Sequence, residues 1–277
     1  MKKKSWISYP LVLWSVLFIV VPVLLVVFFS FTEKVGDGYV FSLAHYKRLM
    51  NPVYFSVFFR SIWLSLISTA ICLLIGYPIA YILAKKPENK RNFLILIFIL
   101  PMWMNFLLRT YAWMSILGRN GILNNILTTI GLKPMDLLYS NGAVLLVMVY
   151  NFLPFMVLPI YTSLTKMDKD IINAAYDLGA RTSQVFRRVI FPLSIPGVVS
   201  GITMVFMPAV STFVISRLLG GGQYMLVGNL IEQQFTTVGD WNFGSAISIF
   251  MMILILISMA IMNKFTDEGD REGGGLF

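Results

Sequence analysis

The chain has 277 residues, 57% of them hydrophobic and only 13% charged. Soluble domains run at about 25% charged, and a mean hydropathy of +0.78 places most of this chain in lipid rather than water. The net charge of +9 would suggest nucleic acid in a soluble protein. Here the basic residues sit mainly in short loops between apolar runs, where they set membrane orientation instead. One cysteine, Cys72, and one histidine, His45, exclude an intrachain disulfide and a His/Cys metal site.

Lys2, Lys3 and Lys4 precede a first apolar run over 10–31. It is long enough to cross a bilayer, which takes about twenty residues, and it lacks the small-residue cleavage site of a signal peptide. Its N-terminus is therefore placed inside. Residues 32–56 are mixed in character, with a turn at Gly36, Asp37 and Gly38. The stretch FSLAHYKRLM reads as a short amphipathic helix stopped by Asn51-Pro52. The second span covers 61–84 and is followed by the tight basic loop KKPENKR at 85–91.

The third span, 93–117, contains Pro101. Residues 118–141 form an outer loop around a weak helix, ILNNILTTI. The fourth span, 142–165, carries Pro154 and Pro159. A polar stretch at 166–188 separates it from the fifth span, 189–218, which holds Pro192, Pro196, Gly197, Gly201 and Pro208. After an outer loop with Glu232 and Asp240 comes the sixth span, 244–262. The Gly-rich tail TDEGDREGGGLF reads as disordered. Of the 22 Lys and Arg residues, fourteen fall on the side of the termini and eight on the other. That bias supports an all-α membrane protein with six transmembrane helices and both termini cytoplasmic, because basic short loops stay inside. Freed backbone groups at the prolines and glycines of spans three to five could line a water-filled path.

The polar stretch Met167–Pro192, MDKDIINAAYDLGARTSQVFRRVIFP, has helical pattern of its own. Asp168 can cap a helix whose apolar positions Ile171, Ala174, Ala175 and Leu178 recur at i, i+3, i+4 and i+7. Gly179 supplies a left-handed stop. Thr182 or Ser183 can cap a second short helix, and Pro192 opens the next span. A structured helix–turn–helix between two membrane segments suggests a docking surface. Small Ala174 and Ala175 allow close approach, and Gly179 sets the angle between the helices. A DNA-binding helix–turn–helix is the competing reading, but it needs a three-helix core that so short a segment does not supply.

This stretch resembles the cytoplasmic EAA loop of permease subunits of ABC importers: Asn173-Ala174-Ala175, Gly179, then Val189-x-Phe191-Pro192. Asn173 replaces the family's glutamate and Phe191 its usual leucine. With YPIAYILAKKP (77–87), LPMWMNFLLRTYAW (100–113) and LPFMVLPIYTSLTKMDKDIINAAYDLGA (153–180), the resemblance covers nearly the whole chain. It points to the first permease subunits of spermidine/putrescine importers.

The resemblance implies a type I ABC importer permease fold in a bacterial inner membrane. It also implies coupling to a separate ATPase through Asp170, Asn173, Ala174, Ala175, Asp177, Gly179, Ala180, Phe186 and Pro192. The expected partners are a second homologous permease subunit, an ATPase dimer holding ATP and Mg, and an extracytoplasmic substrate-binding protein. No cofactor, metal or nucleic acid is expected on this chain. Candidates for a polycation path are Trp103, Asn105, Tyr111, Tyr150, Asn151, Ser211, Glu232 and Asp240. Arg109 and Arg217, near outer helix ends, read as snorkelling cations.

Asp and Glu are missing from the central parts of all spans, where ion-driven carriers keep ionisable groups, which counts against a secondary transporter, the alternative transport mechanism. There is no phosphate-cradling G-x-x-x-x-G-K-[ST] sequence and no nucleophile–base set, so catalysis is not expected of this chain.

Overall fold

The computed structural model describes residues 8–273 apart from Asp37 and Gln223; the three N-terminal lysines lie outside the described residues. The chain divides into two compact units, one of residues 1–58 and 230–256, the other of 59–229 and 257–277.

The first unit begins with α1, Pro10–Ser30, an uninterrupted apolar helix of the length expected for a span. None of its span window is buried within the chain, as suits a helix whose whole surface meets lipid or another subunit. It leads into a feature absent from the sequence reading, an antiparallel hairpin of β1, Thr32–Val35, and β2, Gly38–Phe41. The expected turn is there, with Gly36 at φ +61. The strands were not legible because each has only four residues and the Thr-Glu-Lys-Val pattern does not alternate cleanly. The amphipathic helix follows as α2, Ala44–Leu49. Asn242 donates from Nδ2 to the carbonyls of Thr32 at 2.7 Å and Phe29 at 3.1 Å, tying the hairpin base to the start of the last helix of the chain.

The second span is longer than expected. It is α3, Pro52–Ala84, 33 residues that run through Pro78 without a break. The third expected span, 93–117, is corrected: it is two helices. α4, Glu88–Ile99, is followed by a 3-10 turn at Leu100–Trp103 and then by α5, Phe106–Leu117. The segments Glu88–Trp103 and Phe106–Thr129 differ in direction by 89°. With 12 residues α4 is about 18 Å long at 1.5 Å per residue, short of the ~30 Å hydrocarbon core. The chain turns at Met104 and Asn105, which are extended, and the Asn105 side chain caps α5 by accepting from the N–H groups of Leu107 and Leu108.

After α6, Ile122–Thr129, the fourth span is α7, Asn141–Lys166, as expected within a residue at each end. It is the central helix of the second unit. Val144, Val147, Met148, Met156, Val157 and Ile160 form a fully buried stripe along it. A short helix of the polar stretch, α8, Lys169–Asp177, comes next.

The fifth span also departs from expectation. α9 runs unbroken from Thr182 to Ser211, through a π turn at Phe186–Ile190, so the second short helix expected in the polar stretch is the first turn of the span itself. The cap falls on Arg181, whose N–H donates to the Gln184 side chain at 2.8 Å, rather than on Thr182 or Ser183. The span stops at Thr212, and a separate α10, Val214–Leu219, completes the stretch expected to continue to 218.

α7 and α9 pack most extensively of all helix pairs in this unit. Gly197 and Gly201 explain why they can. A Cβ on Gly197 would lie 2.5 Å from Ser163 Cβ and 2.8 Å from the Pro159 carbonyl oxygen. One on Gly201 would lie 2.8 Å from Met156 Sδ. This is small-xxx-small packing, in which missing side chains let two membrane helices meet backbone to backbone.

The break between α9 and α10 is held by a distant loop that precedes and begins α11, Val227–Gln233. Asn229 donates from Nδ2 to the Phe213 carbonyl at 2.8 Å. Its Oδ1 accepts from the Leu226 N–H and the Ser216 hydroxyl. Gly228 lets the loop come close, since a Cβ there would lie 2.5 Å from the Ser211 carbonyl oxygen. The last helix, α12, Trp241–Gly273, contains the sixth span as Trp241–Met262. It also continues through most of the tail expected to be disordered; residues 274–277 lie outside the described residues.

Candidate functional site

The Met167–Pro192 stretch is built as a mounted helix. Asp168 is the N-cap of α8, accepting from the Asp170 N–H at 2.9 Å. At the other end the N–H of Gly179 bonds to the Tyr176 carbonyl at 2.8 Å and that of Ala180 to the Ala175 carbonyl at 3.2 Å. These two bonds form a Schellman stop, which requires a left-handed residue; Gly179 has φ +79. Cap and stop both follow from the local sequence.

The mount is aromatic. Phe186, at the start of the π turn, packs edge-on against Tyr81 at 5.2 Å and Tyr77 at 5.9 Å, both on α3. The Tyr77 and Ser194 hydroxyls lie 2.9 Å apart, joining α3 to α9. Val185 and Ile190 are buried beneath. Phe186 thus anchors the stretch, while Pro192 lies exposed within α9.

α8 itself presents two different sides. Leu178 is 88% exposed and Ile171 48%, and Ala174 between them is exposed too. On a helix these residues fall on one face, so an apolar strip stands uncovered among the described residues. Asp170, Asn173 and Asp177 line the exposed polar edge beside it, while Ala175 and Ala180 are half-buried. Ile172 and Tyr176 lie roughly opposite, turned toward the basic loop at 85–91.

The path candidates are more scattered. Asn105 spends its side-chain oxygen on capping α5. Asn151, only 1% exposed, donates to the Val147 carbonyl at 3.0 Å, but its Oδ1 is enclosed with no hydrogen-bond partner among the described residues. Tyr150 packs edge-on against Trp113 at 5.3 Å. Trp103 and Tyr111 are exposed on the turn and on α5, and the Ser211 hydroxyl donates to the Met207 carbonyl at the end of α9. These six belong to the second unit, whereas Glu232 and Asp240 belong to the first.

Asp240 has a clear local job. One oxygen accepts from the Phe243 N–H at 3.0 Å, capping α12, and the other meets Arg48 at 2.9 Å. The Arg48 guanidinium also stacks 4.0 Å from the centre of the Phe243 ring. Burial works against the Arg48 charge, but hydrogen bonds and charge interactions with Tyr54 and Asp240 outweigh it and raise its pKa above the ordinary value.

Arg109 corrects the snorkelling reading. It is 9% exposed, and its Nε is enclosed without a partner among the described residues. The sequence placed it near a helix end. The 89° bend turns α5 inward against α7 and α10, and Arg109 goes with it. Sequence reasoning also missed Asn229 and the Gly197/Gly201 pair as a packing motif. The G-x-x-x-G spacing was the available signal for the second; nothing local marks the first.

Residues 76–269 match the family of binding-protein-dependent transport system inner membrane components, a region that includes the whole polar stretch. A relative from Salmonella typhimurium, the spermidine/putrescine transport system permease protein PotB, is 41% identical over 90% of this chain and 88% of its own length. The protein of the same name from Escherichia coli K12 is 40% identical over 90% of this chain and 92% of its own. Among solved structures, a bacterial ABC transporter involved in import of the acidic polysaccharide alginate superimposes with a TM-score of 0.81 at 15% identity, covering 95% of this chain and 94% of that one. A chain of the MetNI methionine ABC transporter gives 0.58 at 16% identity, covering 79% and 98%. With its family profile spanning the central helix, the mounted α8 and the broken fifth span, this chain belongs to the inner membrane permease components of binding-protein-dependent ABC importers.

Proposed function

We propose that the chain is the permease subunit of an ATP-driven polyamine importer, and that α8 is its coupling helix. The carrying observation is the uncovered Ile171, Ala174 and Leu178 strip on a helix capped at both ends, in a stretch that Phe186 anchors on α3. A strip of that kind fits an apolar groove on a separate ATPase subunit, two copies of which would hold ATP and Mg. A second, similar permease subunit completes the path and covers further apolar surface. An extracytoplasmic binding protein delivers the substrate. Both termini and α8 then lie in the cytoplasm, as the basic loop at 85–91 favours. Hydrolysis belongs to the partner, and this chain converts its closure into movement of α9.

Spermidine and putrescine are the proposed substrates, supported by the relatives at about two-fifths identity that carry those names. The exposed rings of Trp103 and Tyr111 offer cation–π faces to an alkylammonium group. Asp240 is already engaged by Arg48 and its helix cap, so the reading does not lean on it. The DNA-binding alternative loses its second helix, which is continuous with a membrane span. The ion-driven alternative has no support from the family.

The test is uptake of labelled spermidine and putrescine by vesicles holding the full assembly, with Leu178→Asp as the variant. Wild-type vesicles should import in an ATP-dependent way, and Leu178→Asp should lose the ATPase subunit on purification while still inserting. Retention of the ATPase by Leu178→Asp would sink the coupling assignment. Absence of transport, together with absence of competition between the two amines, would sink the substrate.

A further inference from the structure

The inner side of α8 faces a cleft of about 560 Å³ between that helix and the 85–91 loop. Lys85, Lys86, Arg91 and Lys169 line it, with Glu88 as the one acid among the lining residues. Among the described residues none of these four cations makes an ion pair. Lys85 rests over the Tyr81 ring at 4.3 Å, and the Arg91 Nε is enclosed with no hydrogen-bond partner. The first residues of two helices, α4 and α8, also line the cleft, adding the positive ends of two helix dipoles. The cleft therefore carries a concentrated net positive charge, four cations against one acid, at a membrane boundary.

Two occupants are disfavoured by chemistry. A polyamine would be repelled. The apolar strip that fits an ATPase groove, Ile171 to Leu178, lies on the far side of α8 from Ile172 and Tyr176, which face the cleft. We infer that the cleft binds a phosphate-bearing anion, the headgroup of an anionic phospholipid, and that this headgroup supports α8 from beneath. Basic pockets at the inner ends of membrane helices are suited to this: the phosphate meets the cations while the acyl chains stay among the helices. Arg91 contributes a forked donor set for phosphate oxygens and Lys85 and Lys86 contribute point charges. The inference depends on the inside placement of the 85–91 loop but not on ATPase coupling, so the two can fail separately.

The test is native mass spectrometry of the purified full-length chain titrated with phosphatidylglycerol, with phosphatidylcholine of the same acyl chains and with glycerol phosphate. The wild type should retain phosphatidylglycerol over phosphatidylcholine. Lys86→Gln with Arg91→Gln should weaken that retention roughly thirty-fold, at about fivefold per cation near an anionic surface. Lys34→Gln with Lys133→Gln, on cations away from the cleft, should leave it unchanged. Arg91→Lys keeps the charge and should recover most of the binding, which separates loss of the site from loss of the fold. Glycerol phosphate binding as tightly as the lipid would keep the anion site and assign its source to a soluble phosphate. Equal retention by the Lys86/Arg91 double variant and wild type would overturn the proposal. So would a double variant that keeps the lipid but loses a purified ATPase subunit, because an acidic protein face would then fill the cleft.

Discussion

Replacing Gly179 by valine tests backbone conformation in isolation from contact. A Cβ at this position meets nothing within 4 Å, so the branch point of the new side chain sits in open space. What it disturbs is the φ of +79, which an L-residue adopts at a cost of roughly 1–2 kcal/mol, with β-branched side chains at or above the upper end. The two Schellman bonds, at 2.8 and 3.2 Å, hold only in that conformation. A strain of about 2 kcal/mol lowers the population of the native stop about thirty-fold relative to unwound alternatives. The α8 end then frays, Leu178 swings away from the strip it completes, and the docking surface is lost while the spans stay intact. Asparagine tolerates the left-handed region, so Gly179→Asn should keep most of the function, with Gly179→Ala between the two. The assay is ATPase co-purification and amine uptake in vesicles, with insertion checked by quantity and elution profile. The reasoning fails if valine behaves as wild type, or if asparagine loses as much as valine.

Three further outcomes follow from the packing and the caps. Gly197→Val places methyl groups into Ser163 and the Pro159 carbonyl, so α7 and α9 must separate; overpacking of this kind costs about 1–3 kcal/mol and should lower the thermal midpoint of the purified chain. Asn229→Ala removes one of three donors to the Phe213 carbonyl and leaves the buried Leu226 N–H without its acceptor, an expected loss of about 1–3 kcal/mol, read out as faster labelling of a cysteine introduced at Thr212. Asp240→Asn keeps a capping oxygen for α12 and loses only a half-exposed ion pair, so it should cost under about 1 kcal/mol in denaturant unfolding. Asp240→Ala removes the cap as well and should cost about 1 kcal/mol more; equal effects of the two would refute the capping role.

The legible and illegible parts of this protein divide along a physical line. Hydropathy and loop charge are properties of contiguous sequence, so the spans at 10–31 and 142–165 emerged at nearly their observed ends. Caps and stops act over a single turn of chain. Asp168 and Gly179 could therefore be named from their neighbours alone, and with them the two ends of α8. The Asn173 at the family's glutamate position lies exposed at the polar edge of α8, beside the apolar strip rather than within it.

The bends were a different matter. Prolines 78, 154, 159, 196 and 208 all sit inside continuous helices, while the breaks fall at Met104-Asn105 and Thr212-Phe213. A helix in lipid can run through proline when its neighbours cover the freed carbonyls. It breaks where something else takes up its backbone groups, and here that is the Asn105 side chain in one case and Asn229, sixteen residues away, in the other. The burial of Arg109 follows from the same bend. The amino-acid sequence by itself determined that this is a membrane chain with a capped polar helix between its fourth and fifth spans. Only the tertiary structure decided where two spans break, which face of that helix stays uncovered and which closes over a basic cleft, because those depend on partners far away along the chain.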